Sequence, residues 1–248
     1  MDARPGAPIN TQDAITTTQE VRPRSQKDIV LYSLLASLTR FIPLPIVDDT
    51  AQKKLHKKLV KKISTAYEAN LNDSDIELLA TGTVTHHLMR MAMFSAKTIL
   101  KRIVRKTLVF FYAKEAADSF SLTYTIGYLL DYAFQRGWIE AHSPGEIRTA
   151  IDKVCEEVDT SQVNHVVFKI LKQSSAATDH FKSYIVNILS GRAGIDGAPE
   201  KEFEQVPSEA GDLVERIQTA LDLMPPDYFL EIRQRLSSQL KLDRNHTD

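Results

Sequence analysis

Apolar residues recur every three or four positions through most of this chain of 248 residues, and no alternating apolar–polar run is long enough to read as a sheet strand. Spacing of that kind gathers apolar side chains on one face of a helix. The pattern therefore predicts an all-α fold, a multi-helix bundle with a C-terminal helical hairpin. Only nine glycines occur, too few for a turn-rich β architecture or for Gly-rich phosphate loops. No internal repeat is visible, so a solenoid is not expected. With 43% hydrophobic residues the chain can bury a sizeable core.

Proline, glycine and capping residues divide the chain. Residues 1–25 are polar and rich in Pro and Thr, and are expected to be a disordered tail. They hold no apolar core of signal-peptide length. A bundle is expected over 26–190. In it Ser25 caps a first helix, and Pro43 and Pro45 end that helix because proline lacks the amide donor. Asp48 or Asp49 caps the next helix, which reaches about Ala69 with a Leu55, Leu59, Ile63, Tyr67 stripe. Asp73 or Ser74 caps a short helix. Long helices are expected over 85–117 and 121–135, the second amphipathic and stopped at Gly137. Ser143 and Pro144 read as cap and first residue of another. Two more segments cover about 161–173 and 177–190. Residues 191–209 form the best linker, 210–242 a hairpin broken at Pro225-Pro226, and 243–248 a short tail.

The familiar catalytic and nucleotide-binding signatures are missing: no P-loop, no G-x-G-x-x-G, no G-x-S-x-G and no H-E-x-x-H. Cys155 is the only cysteine, so zinc-type cysteine pairs and intrachain disulfides are impossible. Its apolar-periodic surroundings suit an inert buried thiol. His86 and His87 are adjacent, and adjacent helical positions diverge by about 100°. No metal, no cofactor and no catalytic residue is expected. Asp131, between Leu130 and Tyr132, either pairs with a basic helix or lies at the core edge; neither role is catalytic. Uncharged stretches fall short of the roughly 18 residues of a membrane span, which implies a chain without one.

Charge is distributed unevenly. Residues 1–114 carry 18 Lys and Arg against 10 Asp and Glu, whereas 115–248 carry 13 against 22. Lys53, Lys54, Lys57, Lys58, Lys61 and Lys62 oppose the apolar stripe of one helix. Arg90, Lys97, Lys101 and Arg105 form a second basic face, within the stretch Arg90–Lys106. Basic amphipathic helices of this kind suit a membrane surface or an acidic protein. The expected function is thus a non-enzymatic scaffold or regulator docking on an anionic membrane surface or an acidic protein partner. Nucleic acid is the alternative anion, ranked lower because Phe110 and Phe111 fall on the core side rather than among the basic residues. A cytoplasmic location, peripheral at the inner face of a membrane, follows from that reading. The acidic hairpin is expected to dock within the chain and to latch over a basic face, with pairing between chains as the alternative.

Two segments carry a resemblance. One is Ile42-Pro43-Leu44-Pro45-Ile46-Val47-Asp48, followed by a helix with Tyr67 and then Asn70-Leu71-Asn72-Asp73. The other is Leu122-Thr123-Tyr124-Thr125-Ile126-Gly127-Tyr128, continuing to Tyr132, Phe134 and Gly137. Both resemble the helical domain that follows the GTPase domain in some bacterial GTPases and occurs in YcjF-like membrane proteins; the ends of immunity-related GTPases show a similar proline turn. The resemblance spans about residues 30–137. It implies a helical accessory module near membranes or near a GTPase, with no catalytic residues to carry over. The chain departs from the family in having neither a GTP-binding domain nor the spanning segments of some relatives. Pro43 and Pro45 would fix a helix corner, Asp48 would cap the helix after it, and Gly127 would let another helix approach closely.

Overall fold

A computed structural model describes residues 22–39, 48–81, 105–174 and 208–244. These residues are all-α, without a strand among them. The helices are α1 (Gln26–Thr39), α2 (Asp48–Ala66), α3 (Asp73–Ala80), α4 (Arg105–Gln135), α5 (Trp138–Ala141), α6 (Pro144–Glu157), α7 (Ser161–Gln173), α8 (Ser208–Asp222) and α9 (Pro226–Arg244). None is long and apolar enough to cross a membrane. Pro43, Pro45, Arg90, Lys97, Lys101, the helix expected over 177–190 and most of the 191–209 linker lie outside the described residues. Asp48 and Arg105 are the first residues of α2 and α4, and their side chains lie outside the description too.

Helix α4 is the axis of the fold, with α1, α2, α5, α6, α7 and α9 packed around it. It runs unbroken through the expected interruption near residues 118–120. Nor is it amphipathic over 121–135. Phe120, Ser121, Thr123, Tyr124, Thr125, Ile126, Tyr128, Leu129, Leu130, Asp131, Ala133 and Phe134 are all buried, as a helix enclosed on every side requires. Its hydroxyls accommodate this by bonding backward. Ser121 donates to the Ala117 carbonyl at 2.7 Å and Thr125 to that of Ser121 at 2.8 Å, so neither donor is buried bare. Helix α1 is likewise buried from Ile29 to Thr39, with Ser37 and Thr39 bonding back to Leu34 and Ala36.

Local chemistry sets several boundaries. Gly137 adopts a left-handed φ of 68°, which ends the α4 turn without the cost a side chain would carry there. Ser143 and Glu146 close a reciprocal capping box at the start of α6, with Pro144 at its first turn. At α3 the cap is Asn72 rather than Asp73 or Ser74; its side chain accepts from the Asp75 amide at 2.9 Å.

Gly127 sits where α4 meets α1 and α2. A methyl group there would stand 3.0 Å from Ile29 Cγ2 and 3.3 Å from Leu59 Cδ2. Helix propensity alone favours Gly127→Ala by about 1 kcal/mol. Overpacking of about 1–3 kcal/mol opposes it, because Ile29 and Leu59 are themselves enclosed. Chemical denaturation is therefore expected to show G127A less stable than the parent, and Gly127→Leu far more so. A stabilised alanine variant would mean that the neighbours yield freely.

The hairpin α8–α9 docks within the chain. Leu213, Ile217 and Leu221 of the first arm and Phe229, Ile232, Leu236 and Leu240 of the second are buried. Arm α8 packs on α1 and α7, and arm α9 on α6 and α4. The principal seats of both arms are apolar and are not on α2, while Arg90, Lys97 and Lys101 of the other basic face that the hairpin is expected to latch over lie outside the described residues. The first arm begins at Ser208, two residues inside the expected linker.

Candidate functional site

The apolar side of α2 is used in the core: Leu55, Leu59, Val60 and Ile63 are buried. Its lysines consequently face outward, with Lys53 and Lys61 exposed and Lys54, Lys57, Lys58 and Lys62 half-buried. Lysines of this face also interact with carboxylates of neighbouring helices. Lys57 pairs with Glu77 of α3. Lys62, and then Lys27, offset the burial that raises the Asp28 carboxyl on α1. The face is thus partly neutralised by its own neighbours, which spacing on α2 alone does not reveal.

A cluster of buried polar groups surrounds Asp131, whose residue exposure is 0%. Its carboxylate accepts from the Ser25 amide at 3.0 Å, the Arg24 amide at 3.1 Å and the Tyr67 hydroxyl at 2.9 Å. A negative charge there also complements the positive N-terminal end of α1. This overturns both expectations for the residue: it neither pairs with a basic helix nor lies at the core edge. Ser25 carries the first turn through its carbonyl, which accepts from the Ile29 amide, while the capping carboxylate comes from α4. Burial pushes the Asp131 carboxyl above its usual range, and the donors from Ser25, Tyr67 and Arg24 pull against it. Two residues of the expected tail, Arg24 and Ser25, belong to this arrangement.

The guanidinium of Arg233 from α9 lies over two rings of α4, 4.5 Å from Tyr132 and 5.2 Å from Tyr128. Arginine stacked on aromatic faces is a favourable way to bury a cation. Tyr128 also packs on Phe229, with centroids 5.0 Å apart. Between these helices and the chain ahead of α1 is a small recess, partly open to solvent. Tyr124, Tyr128 and Phe229 line its floor, and Arg22, Gln26 and Asp222 its rim. The rim groups bind one another: Gln26 donates to Asp222 at 2.6 Å, and Arg22 lies 3.4 Å from the same carboxylate.

A further buried pair, Arg148 and Asp152, meets at 2.9 Å, and Arg148 also donates to the Leu79 carbonyl at 2.8 Å. The guanidinium thereby satisfies the last turn of α3 and ties it to α6. Cys155 lies nearby, and burial pushes its thiol up to about 12, far from the thiolate needed for reactivity. Among the described residues no three histidine, cysteine or carboxylate side chains converge as metal ligands would. The sequence does not single out Arg24 or Arg233, and marks Asp222 only as part of the acidic first arm of the hairpin. Their partners lie about 40 to 200 positions away, and no local pattern signals such contacts.

Compared with family models, curated proteins and solved structures, the chain matches none.

Proposed function

We propose that this protein is a non-enzymatic helical scaffold or regulator that docks peripherally on an anionic membrane surface through the lysine face of α2. The observation that carries this reading is the division of α2 into a fully used apolar stripe and an outward face holding six lysines within ten positions. With Leu55, Leu59 and Ile63 in the core, the helix has no apolar face left to insert. Contact is then electrostatic, worth about 1 kcal/mol per lysine near anionic lipid and weakened by salt. The non-enzymatic part rests on how the buried reactive groups are used. Asp131 caps a helix, Arg148 and Asp152 hold α3, and Cys155 is a protonated core thiol. The resemblance to GTPase-associated helical domains points the same way, to an accessory module at the inner face of a membrane that works beside a GTPase.

Co-sedimentation with vesicles tests the reading. Phosphatidylserine-containing vesicles should retain the protein at low salt and release it at about 0.5 M salt, where the screening length falls to a few ångströms. A Lys53→Glu, Lys58→Glu, Lys61→Glu variant should lose that retention with an unchanged helical spectrum. The variant leaves Lys57, which pairs with Glu77, in place. Equal retention on neutral and anionic vesicles rejects the lipid surface. Tight, steeply salt-dependent retention of DNA or RNA without vesicle binding would transfer the lysine face to a nucleic acid.

A further inference from the structure

Residues 22–25 run from the recess to the first turn of α1. They are fastened by two carboxylates from distant parts of the chain. Asp131 of α4 takes the amides of Arg24 and Ser25. Asp222, the last residue of α8, takes Arg22 and Gln26. Arg24 adds a cation–π contact, its guanidinium 5.3 Å from the Tyr67 ring centre. Arg22 and Arg24 are themselves exposed, while Ser25 and the single apolar ring of the segment, Pro23, are buried. By contrast, the helices under this segment are joined by buried apolar side chains, including Ile29, Leu34, Leu129 and Ile217. We propose that residues 22–25 form a strap that opens and closes over the Tyr124–Tyr128–Phe229 floor as one unit, while the helices beneath stay packed.

The physical reason lies in the two kinds of bonding. Segments held by polar contacts and little apolar area open locally at a fraction of the global unfolding cost. At the Arg22–Asp222 end, where Arg22 is exposed, water replaces the contacts as the strap lifts, and it reaches the buried Asp131 acceptors only as the Arg24 and Ser25 amides leave. The apolar helix contacts have no such substitute. Opening exposes the aromatic floor and admits water to Asp131, so the strap controls access to both. Asp222 lies beside the Pro225-Pro226 break of the hairpin, which links the strap's closure to the seating of α8.

Hydrogen exchange at the Arg24 and Ser25 amides in the full-length chain reads strap opening directly. Asp222 does not touch these amides, so Asp222→Ala leaves their acceptor intact and removes only the far fastening. If the strap moves as a unit, D222A raises exchange at both amides at least ten-fold, while Val167 and Ile170 in α7 keep their parent rates. A smaller rise at the strap, or one matched in α7, overturns the proposal: the first means independent fastenings, the second a loss of global stability alone. Should D222A fail to fold, Arg22→Ala removes the same ion pair from the exposed side, with the same two outcomes deciding.

Discussion

Asp131→Ala is expected to destabilise the protein by about 3–5 kcal/mol, a large effect for a single polar substitution. The substitution removes one acceptor site that serves three donors: the Ser25 and Arg24 amides and the Tyr67 hydroxyl. An orphaned buried donor costs about 1–3 kcal/mol. Arg24 is exposed and can turn its amide to water, which keeps the total below the simple triple. Against a net stability of about 5–15 kcal/mol this is a large fraction. Thermal and urea unfolding should both register it. A loss below about 1 kcal/mol would mean that water fills the site and that the buried carboxylate is dispensable.

Asp131→Asn separates charge from hydrogen bonding and fixes the sign of the pH dependence. Burial dominates the three donors and raises the folded-state value above that of the unfolded chain. A carboxyl raised in this way favours the fold in its protonated form. Its stabilising contribution is complete below the unfolded value, near 4, and is lost as pH rises through the folded value. The parent should therefore lose ground relative to D131N between that lower limit and neutral pH. A parent that gains on D131N as pH rises would show that the three donors outweigh burial and that the folded carboxyl is depressed.

The elements that were legible in the sequence are those whose signals are local. Ser143-Pro144, with Glu146 three residues after the cap, specifies the start of α6, and Gly137 the end of α4, because the groups that bond there are a few positions apart. The stripes Leu213–Ile217–Leu221 and Phe229–Ile232–Leu236–Leu240 specify the hairpin by period alone. What failed was an inference from composition to exposure. The helix break expected between 117 and 121 and the amphipathic helix expected over 121–135 give way to one continuous, enclosed helix, which backward hydrogen bonds from Ser121, Thr123 and Thr125 make possible. Residues 22–25 read as tail for the same reason: their order comes from Asp131 and Asp222, 106 and 196 positions away from the residues they hold. Lysines at helical spacing show which face is basic, but not that Glu77 of the next helix neutralises part of it.

Removal of residues 208–248 is expected to abolish cooperative folding. An isolated helical hairpin is marginal in water, so its order here derives from docking. Docking buries Leu213, Val214, Ile217, Leu221, Phe229, Ile232, Leu236 and Leu240. Each such side chain contributes about 1.5–3 kcal/mol on burial. Entropy recovered by removing the segment offsets much of that, but the loss does not end with the hairpin. Its departure strips cover from α1, α4, α6 and α7, leaving Tyr128 without Phe229 and the Tyr132 ring without Arg233. It also removes Asp222 from the strap. The truncated chain should keep much of its helical signal while losing a sharp thermal transition and binding a hydrophobic dye, as a loosely packed compact state does. Leu236→Ala gives a graded version, with an expected cost of about 2–5 kcal/mol at a position that is 0% exposed. A truncated chain that melts cooperatively within a few degrees of the parent would show that the bundle ahead of Ser208 is complete, and that the hairpin is seated on it rather than part of it.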